Sequence, residues 1–99
     1  MSDHPALEPM KLAALELRNR VIKTATFEGM TPNGIPSDDL IEHHRRLAEG
    51  GVGLTTVAYC AVSADGRTFS QQMYMRPEVQ PQLTRLARAV HDEGAAVSI

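Results

Sequence analysis

The 99-residue sequence predicts an α/β fold built on a parallel sheet, on three observations. Apolar, β-branched runs alternate along the chain with segments of helical periodicity. Glycine closes each helical segment, at Gly50-Gly51 and at Gly94. The order strand, helix, strand, helix, strand requires crossover connections, which are right-handed and leave the strands parallel. Two architectures satisfy that order: an open doubly wound sheet and a (β/α)₈ barrel. A barrel needs roughly 250 residues, so this chain would supply only its first two and a half units.

Residues 1–9 are polar and proline-bearing and read as a loose arm. Leu12, Leu15 and Leu17 flank Ala13-Ala14 and form either a small hairpin or an extended cap, Ala-Ala being a poor turn signal. Val21 to Phe27 is the first strand of the sheet. A loop rich in glycine and proline follows, from Gly29 to Pro36. Ser37 is an N-cap, its hydroxyl placed to accept from the free amides of the first helical turn. Asp38 and Asp39 add charge at the positive end of the helix dipole. Leu40, Ile41, His44, Leu47 and Ala48 share one face, while Glu42 and Arg46 pair on the other. The second strand is Leu54 to Cys60, and its poor alternation suits a strand covered on both sides. Asp65-Gly66 turns the chain into a polar loop over 67–77. The second helix opens at Pro77 or Pro81, where a missing amide does no harm. Its apolar stripe is Leu83, Leu86, Ala87 and Val90. The third strand occupies Val97 to Ile99. The chain stops on that apolar run, so it is expected to be truncated.

Composition excludes several functions. Ten basic against twelve acidic side chains give a net charge of −2, no footprint for nucleic acid or an anionic membrane. No apolar run approaches the roughly 20 residues of a membrane span, and Met1 to Pro5 lack the basic stretch and apolar core of a signal peptide. One cysteine, Cys60, excludes an internal disulfide framework. A cytoplasmic location is the expectation.

Catalytic and metal-binding candidates are sparse. His43 and His44 point about 100° apart on a helix, a spacing unsuited to one metal ion, and are expected on a solvated face. His91 sits where a helix C-terminus favours positive charge. His4 is expected to be disordered. Cys60 reads as a buried, inert thiol. No glycine-rich phosphate loop follows the first strand, which argues against a dinucleotide-binding or flavodoxin-like fold. One location stands out. Parallel α/β folds bind ligands beyond the carboxyl ends of their strands, here Thr24-Ala25-Thr26-Phe27 and Ala58-Tyr59-Cys60. Small side chains there let a flat ligand approach the backbone.

Several segments carry a resemblance. Leu15 to Lys23 (LELRNRVIK), Ser37 to Glu42 (SDDLIE), Arg45 to Leu54 (RRLAEGGVGL), Ala61 to Arg67 (AVSADGR) and Ala89 to Gly94 (AVHDEG) together resemble the Old Yellow Enzyme family, the NADH:flavin oxidoreductases. The resemblance runs from about Met10 to Ile99. It implies the N-terminal sector of a (β/α)₈ TIM barrel, over residues 1–99, holding FMN at the carboxyl ends of its strands. It implies a reaction in which NAD(P)H reduces FMN and hydride then passes to an electron-poor alkene.

The resemblance also implies site residues. Flavin contacts fall on Thr24, Ala25, Thr26 and Phe27, and a backbone contact falls on Tyr59. A substrate-side position falls on Gly29, which offers no side chain. Phe27 stands where the family commonly has threonine or cysteine, and it cannot donate a hydrogen bond. The family's catalytic groups and phosphate loops correspond to positions beyond Ile99. The chain alone is therefore expected to be inactive, and to need the remainder of the barrel or a homo-oligomer for stability. The competing reading is a small non-enzymatic α/β binding or assembly module derived from that family. A barrel sector exposes two strand edges and an inner face with nothing to fill it. The isolated chain is therefore expected to show no sharp cooperative thermal transition when near- and far-UV circular dichroism are followed together.

Overall fold

A computed structural model describes residues 4–99. Met1–Asp3, the start of the expected arm, lie outside the described residues. The rest of that arm is ordered: Pro5–Leu7 make a 3₁₀ turn, the His4 ring accepts from the Ala6 amide at 3.1 Å, and Ala6 O accepts from the Arg20 amide at 2.8 Å. Strands β1 (Met10–Leu12) and β2 (Leu15–Leu17) form an antiparallel hairpin. Its two-residue turn is Ala13-Ala14, with Ala13 at φ 55°. Strand pairing imposes a turn that the alanines alone disfavour.

The main sheet has three parallel strands in the order β3 (Ile22–Lys23), β4 (Leu54–Thr56) and β7 (Ala96–Ser98). Lys23 is in register with Thr55, and Thr55 with Val97. Helix α1 (Asp38–Glu49) and helix α2 (Gln80–Asp92) pack together on one face of that sheet. Leu40, Ile41, Ala48, Leu86 and Val90 build the core there, with Val57, Met73 and Val79. Strands taken in chain order, with both helices on one side, make a barrel sector rather than a doubly wound sheet. None of the helices among the described residues is long and apolar enough to cross a membrane.

Helix boundaries follow the sequence closely. Ser37 Oγ accepts from the Leu40 amide at 3.2 Å and donates to Met30 O at 2.7 Å. Arg46 and Glu42 pair at 3.1 Å. Arg45 holds the same carboxylate at 2.8 Å, and the pairing lowers Glu42 to about 2. A 3₁₀ turn over Pro77–Val79 precedes α2, which keeps Pro81 in its first turn. The strands differ more. The first ladder covers Ile22–Lys23, paired with Leu54 and Thr55, instead of Val21 to Phe27. The second strand stops at Thr56. Tyr59 then takes φ 57° and turns the chain into β5 (Cys60–Ala61), which pairs in parallel with β6 (Met73–Tyr74). The polar segment 67–77 thus contains a strand.

One side chain ties these pieces together. Arg18, just after β2, donates from Nη1 to Glu93 O at 2.7 Å and from Nη2 to Ala48 O at 2.5 Å and Val52 O at 2.9 Å. Ala48 and Glu93 lie at the C-terminal ends of α1 and α2, where unpaired carbonyls and the dipole favour a cation. Gly94, at φ +91°, leaves room for this: a Cβ there would stand 2.6 Å from Arg18 Nη1. Arg18→Ala should lower stability by about 2 kcal/mol, since hydrogen bonds to a charged group are worth roughly 1.5–3 kcal/mol and this one is partly exposed. Arg18→Lys should recover less than half of that, because an ammonium cannot reproduce the planar fork. Urea unfolding of the protein carrying each variant measures both.

Candidate functional site

The site lies beyond the carboxyl ends of β3 and β4. Past the last ladder pair, Thr24, Ala25, Thr26 and Phe27 run exposed across the end of the sheet. Thr26 Oγ1 donates to Thr24 O at 3.3 Å, so this run holds its own shape without a neighbouring strand. On the adjacent strand, the Val57 amide donates to Ser98 O at 2.8 Å, and Ala58 and Tyr59 follow. Phe27 is 59% exposed and Tyr59 50%, although both are aromatic residues that normally bury most of their surface.

Their rings meet edge to face at 5.4 Å, and both meet Phe69, at 5.5 Å from Phe27 and 6.0 Å from Tyr59. The structure therefore brings together the strand-end residues that the sequence singled out. It adds Phe69, which lies in a segment read as polar loop and carried no signal of its own. Tyr59 contributes a ring as well as its backbone. Next to this cluster is a cavity of about 560 Å³, walled by Phe27, Gly29, Met30 and Phe69 and edged by Ser37, Asp39 and Gln71. At φ +67°, Gly29 adopts a backbone conformation costly for other residues, and a Cβ there would crowd the Phe27 ring at 3.3 Å. Its missing side chain keeps the cavity open.

Behind the strand ends lies a buried polar cluster. His44 was expected on a solvated face with His43; it is 0% exposed. Its position on the apolar stripe of α1 turns it onto the sheet, where partners exist for both ring nitrogens. Nδ1 bonds Thr55 Oγ1 at 2.7 Å and Nε2 bonds Glu28 Oε2 at 2.6 Å. Glu28 Oε1 accepts from the Ala58 amide at 3.4 Å. Lys23 Nζ is 3.8 Å from Glu28 Oε2 and has no hydrogen-bond partner. Glu28 and Lys23 carried no functional reading in the sequence. His43 is half-buried, and that burial, with His44 and Lys23 nearby, holds its imidazole below the usual histidine value against the pull of Glu28.

Ligand atoms of Glu28, His43 and His44 lie within 4.8 Å of one another. A metal ion bound through His44 Nε2 would have to replace its bond to Glu28 and sit beside the Lys23 ammonium. The cluster is better described as a closed charge network. Cys60 is partly exposed rather than fully buried. Burial still pushes its thiol above the ordinary value, so it is not activated as a thiolate.

The strand ends suit a flat heteroaromatic group. A run of small residues outside the ladder leaves backbone edges free to approach a ring, and three aromatic edges supply an apolar border. The donor set is backbone amide and hydroxyl, which matches a polar ring edge.

Known proteins share this sequence pattern and this fold. Residues 6–99 match the model of the NADH:flavin oxidoreductase / NADH oxidase family. The chain is 53% identical over 88 residues to a 4,4'-dithiodibutanoate disulfide reductase of Rhodococcus erythropolis, covering 89% of this chain and 22% of that protein. It is 34% identical over 98 residues to a multifunctional alkene reductase/demethylase of Caballeronia cordobensis, covering 97% of this chain and 14% of that protein. Among solved structures, it superposes on the Old Yellow Enzyme of a Pichia species with a TM-score of 0.89 at 16% identity, over 96% of this chain and 25% of that one. A 2-naphthoyl-CoA reductase complex gives a TM-score of 0.87 at 28% identity, over 94% of this chain and 14% of that one.

The depressed His43 value has a consequence for stability. A histidine whose folded pKa lies below its unfolded one stabilises fully above about pH 6.5 and loses that contribution as pH falls further. His43→Gln should flatten the stability profile between about pH 7 and pH 5. Urea midpoints of wild type and variant across that range measure the effect.

Proposed function

The chain belongs to the NADH:flavin oxidoreductase / NADH oxidase family, and from that premise we propose that it forms the flavin-edge wall of an FMN-dependent NAD(P)H oxidoreductase of the ene-reductase type. The observation that carries this reading is the meeting of two exposed strand ends, Thr24–Phe27 and Tyr59, in one aromatic-bordered surface beside an open cavity. When bound, FMN supplies a two-electron carrier that takes hydride from NAD(P)H and gives it to an electron-poor alkene.

The chain's own residues hold and border that group. Backbone groups of Thr24, Ala25 and Thr26 meet the ring edge, and the Tyr59 amide meets it from the adjacent strand. Phe27 packs against the ring without offering a donor. Gly29 leaves space for substrate beside it. These cofactor contacts are mainly backbone ones, and in the family resemblance the catalytic groups and phosphate loops correspond to positions beyond Ile99, so the 99-residue chain by itself is inactive and acts with the remainder of a barrel or with further copies. Its setting is the cytoplasm, with a small-molecule substrate and neither nucleic acid nor membrane as partner.

The 53% identity to a disulfide reductase favours a second acceptor class, an organic disulfide. Turnover of an enone and of a small aliphatic disulfide by the FMN-loaded full-length protein that carries this chain, each with NADH and NADPH, distinguishes the two. Failure with both classes would defeat the proposal, as would absence of FMN from the purified protein after reconstitution.

Phe27 gives a sharper test. Phe27→Thr introduces a hydroxyl at the ring, worth roughly 1 kcal/mol net as a neutral hydrogen bond. Donation to the electron-rich cofactor should raise its two-electron midpoint potential by about 20 mV, taking ~30 mV per 1.4 kcal/mol. A redox titration at full FMN occupancy measures it; an unchanged potential would place Phe27 away from the flavin.

A further inference from the structure

We propose that Glu28 and His44 form a buried bracket that sets the spacing between the two strand ends of the site, making both of them positioning residues for the flavin. The proposal rests on the reading of those ends as the cofactor edge.

Glu28 follows Phe27 directly, and its carboxylate reaches two other elements. Oε2 meets His44 Nε2 on α1 at 2.6 Å, and Oε1 accepts from the Ala58 amide at 3.4 Å. His44 in turn holds Thr55, in the middle of β4, at 2.7 Å through Nδ1. One carboxylate therefore links the residue after Phe27, the residue before Tyr59, and the helix that covers both strands. Neither Glu28 nor His44 lines the cavity, and Phe27 and Tyr59 are the residues through which they act.

Three features make this more than packing. Glu28 and His44 side chains are 6% and 0% exposed, so their hydrogen bond works in a low-dielectric setting where it is strong when made and costly when broken. Lys23 Nζ, without a hydrogen-bond partner and 3.8 Å from Oε2, offsets the carboxylate charge that burial would otherwise penalise. Tyr59 sits at φ 57°, a backbone state that persists only where surrounding contacts hold it. The Ala58 amide, fixed by Glu28 one residue earlier, is such a contact. Loosening the bracket should let both strand ends shift, and small misplacements in a ligand-positioning surface have large effects.

The test uses the FMN-loaded full-length protein that carries this chain, with FMN as the probe. FMN Kd, the visible absorption bands of the bound flavin and the thermal midpoint are measured together. Glu28→Ala is expected to raise Kd about tenfold or more and to shift the bound-flavin bands. Glu28→Gln keeps the size of the side chain and an acceptor for the Ala58 amide, and should raise Kd only about threefold. His44→Gln should shift the bands in the same direction, and the Glu28→Gln/His44→Gln pair should lose no more than the worse single variant, as for residues acting as one unit. If Glu28→Ala does not fold, Glu28→Gln and His44→Gln decide by the same criteria. Unchanged bands in every Glu28 and His44 variant that binds FMN, with Kd simply following the thermal midpoint, would reduce the bracket to a stability element and overturn the proposal. That outcome is separated from failure of the cofactor-edge reading by Phe27→Ala: shifted bands there keep the reading and reject only the bracket, and unshifted bands there reject both.

Discussion

Burying one carboxylate beside a parallel sheet is the constraint on which the site depends. An ionised glutamate inside a protein must be paired and hydrogen-bonded or it costs several kcal/mol. Glu28 meets that requirement with three partners drawn from three elements: Lys23 from β3, His44 from α1 and the Ala58 amide beyond β4. Satisfying the charge therefore fixes where the two strand ends stand relative to the helix above them. The adjacent Phe27 is left outside the core, free to meet Tyr59 and Phe69. The exposure of these rings follows from the same arrangement that buries the charge.

At the opposite end of the sheet Arg18 plays a comparable part with reversed sign. There the unsatisfied groups are carbonyls at the ends of α1 and α2 and in the loop before β4, and one guanidinium meets all of them. Asn19 adds to it by donating to Gly51 O at 2.7 Å. Gly53 packs so closely that a Cβ would stand 2.5 Å from Asn19 O. The amino-terminal end of the sector is thus closed by cation-to-carbonyl bonds, and the carboxyl end is organised by an anion. Both devices use side chains from the segments next to β3 to hold helices that come later in the chain. This division leaves the carboxyl end open for a ligand while the other end is sealed, in keeping with how barrels place their sites.

The helices, the parallel strand order and the strand ends that form the surface were all legible in the sequence. Each depends on short-range rules: Ser37 caps its own first turn, glycines end both helices, and the crossover hand follows from chirality. The strand-end run Thr24–Phe27 and Tyr59 could be picked out as a candidate surface because ligand sites in parallel sheets follow strand direction. What tertiary structure alone decided is which side chains meet across elements. His44 reads as one of two adjacent surface histidines until Thr55 and Glu28 are seen at its ring nitrogens. Phe69 and the β6 strand lie in a segment with no apolar periodicity, and they take their places only because Cys60–Ala61 offers an edge to pair with. Periodicity reports how a residue sits on its own element. Glu28 meets His44 and Ala58 across 16 and 30 residues of chain, and Phe27 meets Tyr59 and Phe69 across still longer separations, and nothing local in the chain records those contacts.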